Sequence, residues 1–125
     1  MVFVILSVLI TGCTGHQYDT LEDFLAGEEM QSLIEEDKSA LADSGLSLEV
    51  TSRENQLIYT YTYSQMLEVE TAKDILKEGM EAEWDAFQKF ADDVKKSVKV
   101  ENPVVVVRYL NPDGTEIYSE TFSAE

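Results

Sequence analysis

Residues 104–122, VVVVRYLNPDGTEIYSETF, decide the fold. Two runs rich in β-branched and aromatic residues flank Asn111-Pro112-Asp113-Gly114, and such residues favour strands. Pro in the second position and Gly in the fourth specify a type I turn with Gly114 in the left-handed conformation. The stretch therefore predicts a β-hairpin.

A second hairpin is predicted earlier in the chain. Residues 46–51, LSLEVT, alternate apolar and polar side chains, which is the pattern of a half-buried strand. Residues 57–63, LIYTYTY, form the next strand. The turn lies at 52–55, where Asn55 is able to adopt a positive φ.

A helical pattern precedes each hairpin. The first covers about 20–44: Asp19 or Thr20 caps it, and Gly45 is suited to the left-handed residue at its end. A break near Gly27 is the alternative to one continuous helix.

The second helical pattern is longer. Apolar residues recur every three or four positions from Ala72 to Val98, which predicts one continuous amphipathic helix. Acidic residues at its start and lysines at its end complement the helix dipole. Asn102-Pro103 ends it.

The order of elements is therefore α-β-β-α-β-β. A chain of 125 residues is one domain by length. The simplest layered solution is an α+β fold with two helices on one face of a four-stranded antiparallel sheet. We expect this single domain to cover residues 19–125.

The other face of the sheet is the candidate binding face. If Asn111 pairs with Thr115, the helices cover the face that contains Val105, Val107 and Ile117. If Ser52 pairs with Gln56, an aromatic stripe lies on the open face, and such rings are enriched where proteins recognise other molecules. The candidate residues are Tyr59, Tyr61, Tyr63 and Tyr118. A dimer interface or a plain scaffold role is the alternative, and a one-residue slip in register would invert the assignment.

The start of the chain predicts its location. Residues 1–10, MVFVILSVLI, are too few to span a bilayer but suit the apolar part of a secretion signal. The following Ile10-Thr11-Gly12-Cys13 resembles the bacterial lipobox, in which the thiol of the cysteine accepts a lipid. We therefore expect a signal peptide over 1–12, truncated because its basic start is missing, lipid attachment (palmitate-type acyl chains) at Cys13 and a tether over 13–18. A buried strand ending in a free cysteine is the alternative.

A resemblance to a known family covers nearly the whole mature chain. TLEDFL (20–25), NQLIYTYTY (55–63) and the hairpin at 104–122 resemble an uncharacterised family of small Gram-positive lipoproteins, domain of unknown function family 4854. The resemblance implies an extracytoplasmic α+β domain on the outer face of the cell membrane. It implies no activity.

The charge of the chain and its lack of catalytic motifs argue against several classes of function. The chain has 25 acidic and 9 basic residues, a net charge of −16, so a nucleic-acid partner is not expected. The single histidine, His16, lies in the tether, and no phosphate loop or Ser/His/Asp set is present. The sequence predicts no enzyme, no cofactor and no metal site.

Two functions remain as hypotheses. The first is a membrane-anchored binding module that uses the open sheet face to hold a protein or small ligand. The second is a structural or regulatory subunit that forms a homodimer or docks on a membrane or secreted protein.

Overall fold

The computed structural model describes residues 18–124, in which four helical segments cover one face of a four-stranded sheet. The predicted signal peptide and Cys13 lie outside the described residues. The elements are α1 (Leu21–Ala26), α2 (Glu28–Leu41), β1 (Leu46–Arg53), β2 (Gln56–Tyr63), α3 (Val69–Ala82), α4 (Trp84–Ser97), β3 (Val104–Leu110) and β4 (Glu116–Ser123). The α+β class and the four strands are confirmed. The order α-α-β-β-α-α-β-β replaces the predicted α-β-β-α-β-β.

The sheet is mixed, and the prediction of a purely antiparallel sheet is wrong. The strand order is β1-β2-β3-β4, with β2 parallel to β3 and both hairpins antiparallel. The two tight turns force each hairpin to be antiparallel. The connection between β2 and β3, in contrast, contains both α3 and α4, and a crossover of that length allows parallel strands.

Each predicted helix is two helices. Gly27 separates α1 from α2 with an extended backbone, φ −65° and ψ 150°. A side chain there would press on Tyr18, whose hydroxyl oxygen is 2.8 Å from the position of an added Cβ. Thr20 is the cap of α1, accepting a hydrogen bond from the Asp23 amide at 3.0 Å.

The longer predicted helix breaks at Glu83, where φ is −105° and ψ is 9°. A straight helix over 69–97 would be about 44 Å long at about 1.5 Å per residue, whereas an eight-residue strand spans only about 27 Å. The break lets both α3 and α4 contact β4. The apolar spacing continues through it, so periodicity alone could not reveal it.

Tyr18 joins the domain rather than the predicted tether. Its amide donates to the Ser97 carbonyl at 2.7 Å, and its carbonyl accepts from the Lys99 amide at 2.8 Å. Its ring meets Phe24 edge to face at 5.6 Å. The first described residue thus ties the start of α1 to the end of α4.

The first hairpin is shifted by one residue from the predicted register. Arg53, not Ser52, pairs with Gln56, and the positive φ (53°) belongs to Glu54 rather than Asn55. Asn55 is held instead by the start of β3, because its carbonyl accepts from the Val104 amide at 2.8 Å. A slip of one residue reverses which side chains share a face.

The second hairpin contains a bulge that the sequence did not reveal. Its turn is as predicted: the Asn111 amide donates to the Thr115 carbonyl at 2.9 Å, and Gly114 has φ 88°. The register then shifts between Tyr109 and Leu110, which pair with Tyr118 and Glu116. Ile117 is the extra residue, and it moves the rest of β4 to the opposite face.

Candidate functional site

The four tyrosines predicted to form an open face lie on the helix-covered face, so their predicted exposure is wrong. Tyr59, Tyr61 and Tyr63 are 1%, 0% and 4% exposed, and Tyr118 is 9% exposed. The register shift in the first hairpin and the bulge in the second cause these reversals. The tyrosines therefore do not form an exposed binding face.

Tyrosines instead form a row under the helices, and we call Tyr59, Tyr61, Tyr63 and Tyr109 the tyrosine row. Tyr61 and Tyr109 stack at 4.9 Å between ring centroids. Tyr59 meets Phe90 of α4 edge to face at 5.7 Å. The helix pairs contact the outer strands, α1 and α2 against β1 and α3 and α4 against β4. The row fills the space above the central strands.

Three hydroxyls of the row are buried without a hydrogen-bond partner among residues 18–124: those of Tyr59, Tyr61 and Tyr109. Burial raises the pKa of each of these phenols well above its ordinary value. An unpaired buried hydroxyl costs free energy. These three hydroxyls therefore lower the free energy of unfolding of the domain.

Asp37 of α2 is the carboxylate that faces this row. Its charge adds to the rise in the pKa of Tyr59 and Tyr61. Burial, and then the charge of Glu36, raise the pKa of Asp37 itself to about 6. Asp37 is half-buried, so the α2 end of the row has a titratable group that reaches solvent.

A surface groove lies at the opposite edge of the sheet, and we call it the α3–β4 groove. It has a volume of about 540 Å³ and is lined by Val69, Lys73, Lys77 and residues 116–120, a volume in the range of ligand sites. The lining residues of α3 are spaced i, i+4, i+8, so they form one stripe along the helix. The neighbouring stripe, Ala72, Leu76 and Met80, is buried in the core.

Both charges are present in the groove. Lys73 and Lys77 are exposed, and neither makes an ion pair within the described part of the chain. The Tyr118 hydroxyl donates to Glu120 Oε2 at 3.3 Å. Burial, and then the charge of Glu120, raise the pKa of Tyr118 to about 12. Glu116 pairs with Arg108 at 3.4 Å on the open face. Lys73 and Lys77 are thus the cationic groups of the groove, and the carboxylate of Glu120 lies on the β4 wall opposite them.

The floor of the groove is a sheet edge. β4 hydrogen-bonds to β3 on one side and has no strand partner on the other among residues 18–124. An edge strand presents unpaired N–H and C=O groups that an extended chain is able to join. The bulge at Ile117 directs Tyr118 and Glu120 towards α3. The sequence contained a signal for this site in the lysines spaced i, i+4, which we did not predict as functional.

The open face of the sheet is polar at its margins. Its centre contains half-buried Ile58 and Val106, which lie side by side on β2 and β3. Thr51, Thr60 and Thr121 adjoin this pair, and Val104 and Arg108 flank Val106 along β3. No strand residue on this face is aromatic. The face therefore lacks the aromatic stripe that the sequence predicted there.

Residues 18–124 contain neither a membrane-spanning helix nor a metal-binding cluster. No helix there is long and apolar enough to cross a bilayer. No cluster of three or more His, Cys, Asp or Glu side chains in that range is arranged to bind a metal ion.

The fold and groove define a small α+β domain with one helix-covered sheet face and a grooved edge. The family described as Domain of unknown function (DUF4854) matches residues 21–122, and the chain belongs to that family. Searches of curated proteins and of solved structures found no match.

Proposed function

We propose that the chain is an extracytoplasmic lipoprotein of a Gram-positive cell, anchored through a lipid on Cys13, whose domain binds a polypeptide segment. The sequence Ile10-Thr11-Gly12-Cys13 after an apolar run supports the anchor. Two acyl chains hold a protein firmly at a membrane, whereas one does so only marginally. The role is binding rather than catalysis.

The single observation that supports binding is the placement of α3 along the free edge of β4. A helix and a strand that run side by side leave a groove in which an extended chain adds a strand and places alternate side chains against the helix. The groove at Val69, Lys73 and Lys77 has this arrangement over residues 116–120. The open face has no comparable wall.

A photo-crosslinking experiment tests the site. A benzoylphenylalanine placed at exposed Ser119 of the groove should form adducts in intact cells, and mass spectrometry should map them to a segment of another polypeptide. The same group at Thr51, which is exposed on the opposite edge strand β1, is the control. Adducts at Thr51 but not at Ser119 would contradict the proposal. An adduct between two copies of this chain would favour the homodimer.

A further inference from the structure

We propose that the α3–β4 groove selects an extended peptide with acidic side chains at alternate positions, i and i+2, facing Lys73 and Lys77. This inference rests on the proposed function and names the chemistry of its partner. It follows from the spacing of the two walls and from the charges that the domain leaves unpaired.

The spacings of helix and strand agree. Lys73 and Lys77 are four residues apart on α3, which corresponds to about 6 Å along a helix axis at about 1.5 Å per residue. Alternate side chains on one face of a strand are separated by about 6.6 Å, twice the rise of about 3.3 Å per residue. Two acidic side chains at i and i+2 of a strand added to β4 therefore reach one lysine each.

The charges of the groove favour carboxylates on this side. Lys73 and Lys77 have no ion pair within residues 18–124, whereas Glu120 accepts the hydrogen bond of Tyr118. An acidic side chain that points towards α3 meets two exposed ammonium groups at the rim. On the open face of the sheet, Arg108 already pairs with Glu116. The side chains of the added strand that point to this face therefore have no unpaired cation to bind.

A second copy of this chain suits the groove poorly. Two antiparallel β4 edges would bring Glu120 of each copy near its counterpart, and like charges across strands destabilise the pair. Each chain also has a net charge of −16, which opposes association of identical copies. A foreign segment brings only a few acids, each placed to face a lysine, whereas a second copy brings Glu120 and its whole net charge of −16.

Three synthetic peptides test the charge rule. Each is a capped ten-residue peptide in which Thr alternates with Glu, with Gln or with Lys, labelled for fluorescence anisotropy and added to the purified protein in detergent. We expect the Glu peptide to bind at least tenfold tighter than the Gln and Lys peptides. Raising the salt to about 0.5 M should reduce this difference, because the pairs are exposed.

A charge reversal gives the sharper result. The double variant Lys73→Glu/Lys77→Glu should prefer the Lys peptide over the Glu peptide. The matched control Lys95→Glu/Lys96→Glu makes the same change of charge on exposed positions of α4 and should retain the Glu preference. Thermal unfolding of both variants verifies that they fold.

The outcomes separate the two proposals. Equal binding of the Glu and Gln peptides, no binding of the Glu peptide, or a Glu preference that survives the reversal overturns the charge rule. If such a result accompanies polypeptide adducts at Ser119, the groove binds a strand of other chemistry and the proposed function stands. If Ser119 forms no adducts either, both proposals fail.

Discussion

Tyr61 and Tyr109 lie directly opposite each other on the parallel strands β2 and β3, with ring centroids 4.9 Å apart and planes 13° from parallel. Stacking of this kind contributes about 0.5–1.5 kcal/mol beyond burial. Both hydroxyls are nevertheless buried without a partner in the described chain. The stacked rings stabilise the folded state, whereas the two unpaired hydroxyl groups destabilise it.

Removing these hydroxyls should not destabilise the protein. We expect Tyr61→Phe and Tyr109→Phe each to leave the free energy of unfolding unchanged or to raise it by about 1 kcal/mol, because the ring stays and an unpaired polar group goes. Urea unfolding measures the change. Tyr118→Phe is the control, since its hydroxyl has a partner in Glu120, and it should show no gain. A loss above about 1 kcal/mol in either row variant would mean that its hydroxyl is satisfied in solution.

Asp37 should make the protein less stable as the pH rises. Its pKa is about 6 in the folded protein and about 4 in an unfolded chain, so the folded state retains its proton longer. Stability therefore falls between about pH 4 and pH 6. Because Asp37 is half-exposed, solvent screening reduces the effect to about 1 kcal/mol.

The variant Asp37→Asn checks this dependence. We expect it to be more stable than the parent at pH 7.5 by about 1 kcal/mol and equal to it near pH 4. Asp43→Asn, at an exposed position after α2, serves as the control for loss of one charge. An equal gain from both variants at pH 7.5 would assign the effect to the net charge of the chain rather than to the burial of Asp37.

Local signals in the sequence predicted local structure well. The turn at Asn111–Thr115, the cap at Thr20 and the left-handed Gly45, with φ 77°, are as expected, because each depends on a few neighbouring residues. The parallel pairing of β2 with β3 depends on residues far apart in the chain. No local pattern specifies it.

The predicted tyrosine site depended on the register of the two hairpins. Side chains alternate between the two faces of a sheet, so a shift of one residue moves a side chain to the other face. One residue less in the first turn moved Tyr59 and its neighbours from the predicted open face into the core. The extra residue Ile117 did the same for Tyr118. Alternation showed correctly which side chains share a face on β1, β2 and β3, but not on β4, where the bulge interrupts it. It could not show which face the helices cover.

Lipid anchoring makes a prediction for Cys13. Replacing it as Cys13→Ser should move the protein from the membrane fraction to the medium, because the thiol is the group that would accept the lipid. Immunoblots of fractionated cells measure the shift. His16→Ala, outside the Ile10–Cys13 motif, should stay with the membrane. Retention of the Cys13→Ser protein at the membrane would remove the basis for the anchor.

Asn111 is a buried side chain that joins two distant loops. Its Oδ1 accepts from the Leu67 amide at 2.9 Å, and its Nδ2 donates to the Leu67 carbonyl at 3.1 Å. Asn111 is 1% exposed, so water cannot readily replace it. Asn111→Ala should therefore lower the free energy of unfolding by about 2–4 kcal/mol, since it leaves two backbone groups unpaired. Asn111→Asp keeps the acceptor but loses the donor, and we expect it to be destabilising too.

Asn55→Ala provides the matched control for that loss. Asn55 also joins segments far apart in sequence, since its Nδ2 donates to the Asn102 carbonyl at 3.0 Å, but this bond is solvent-accessible. Water is able to take its place, so the cost should stay below about 1 kcal/mol. Urea unfolding of the two alanine variants under identical conditions compares them. Equal losses would show that burial of the two hydrogen bonds between Asn111 and Leu67 adds nothing to the free energy of unfolding.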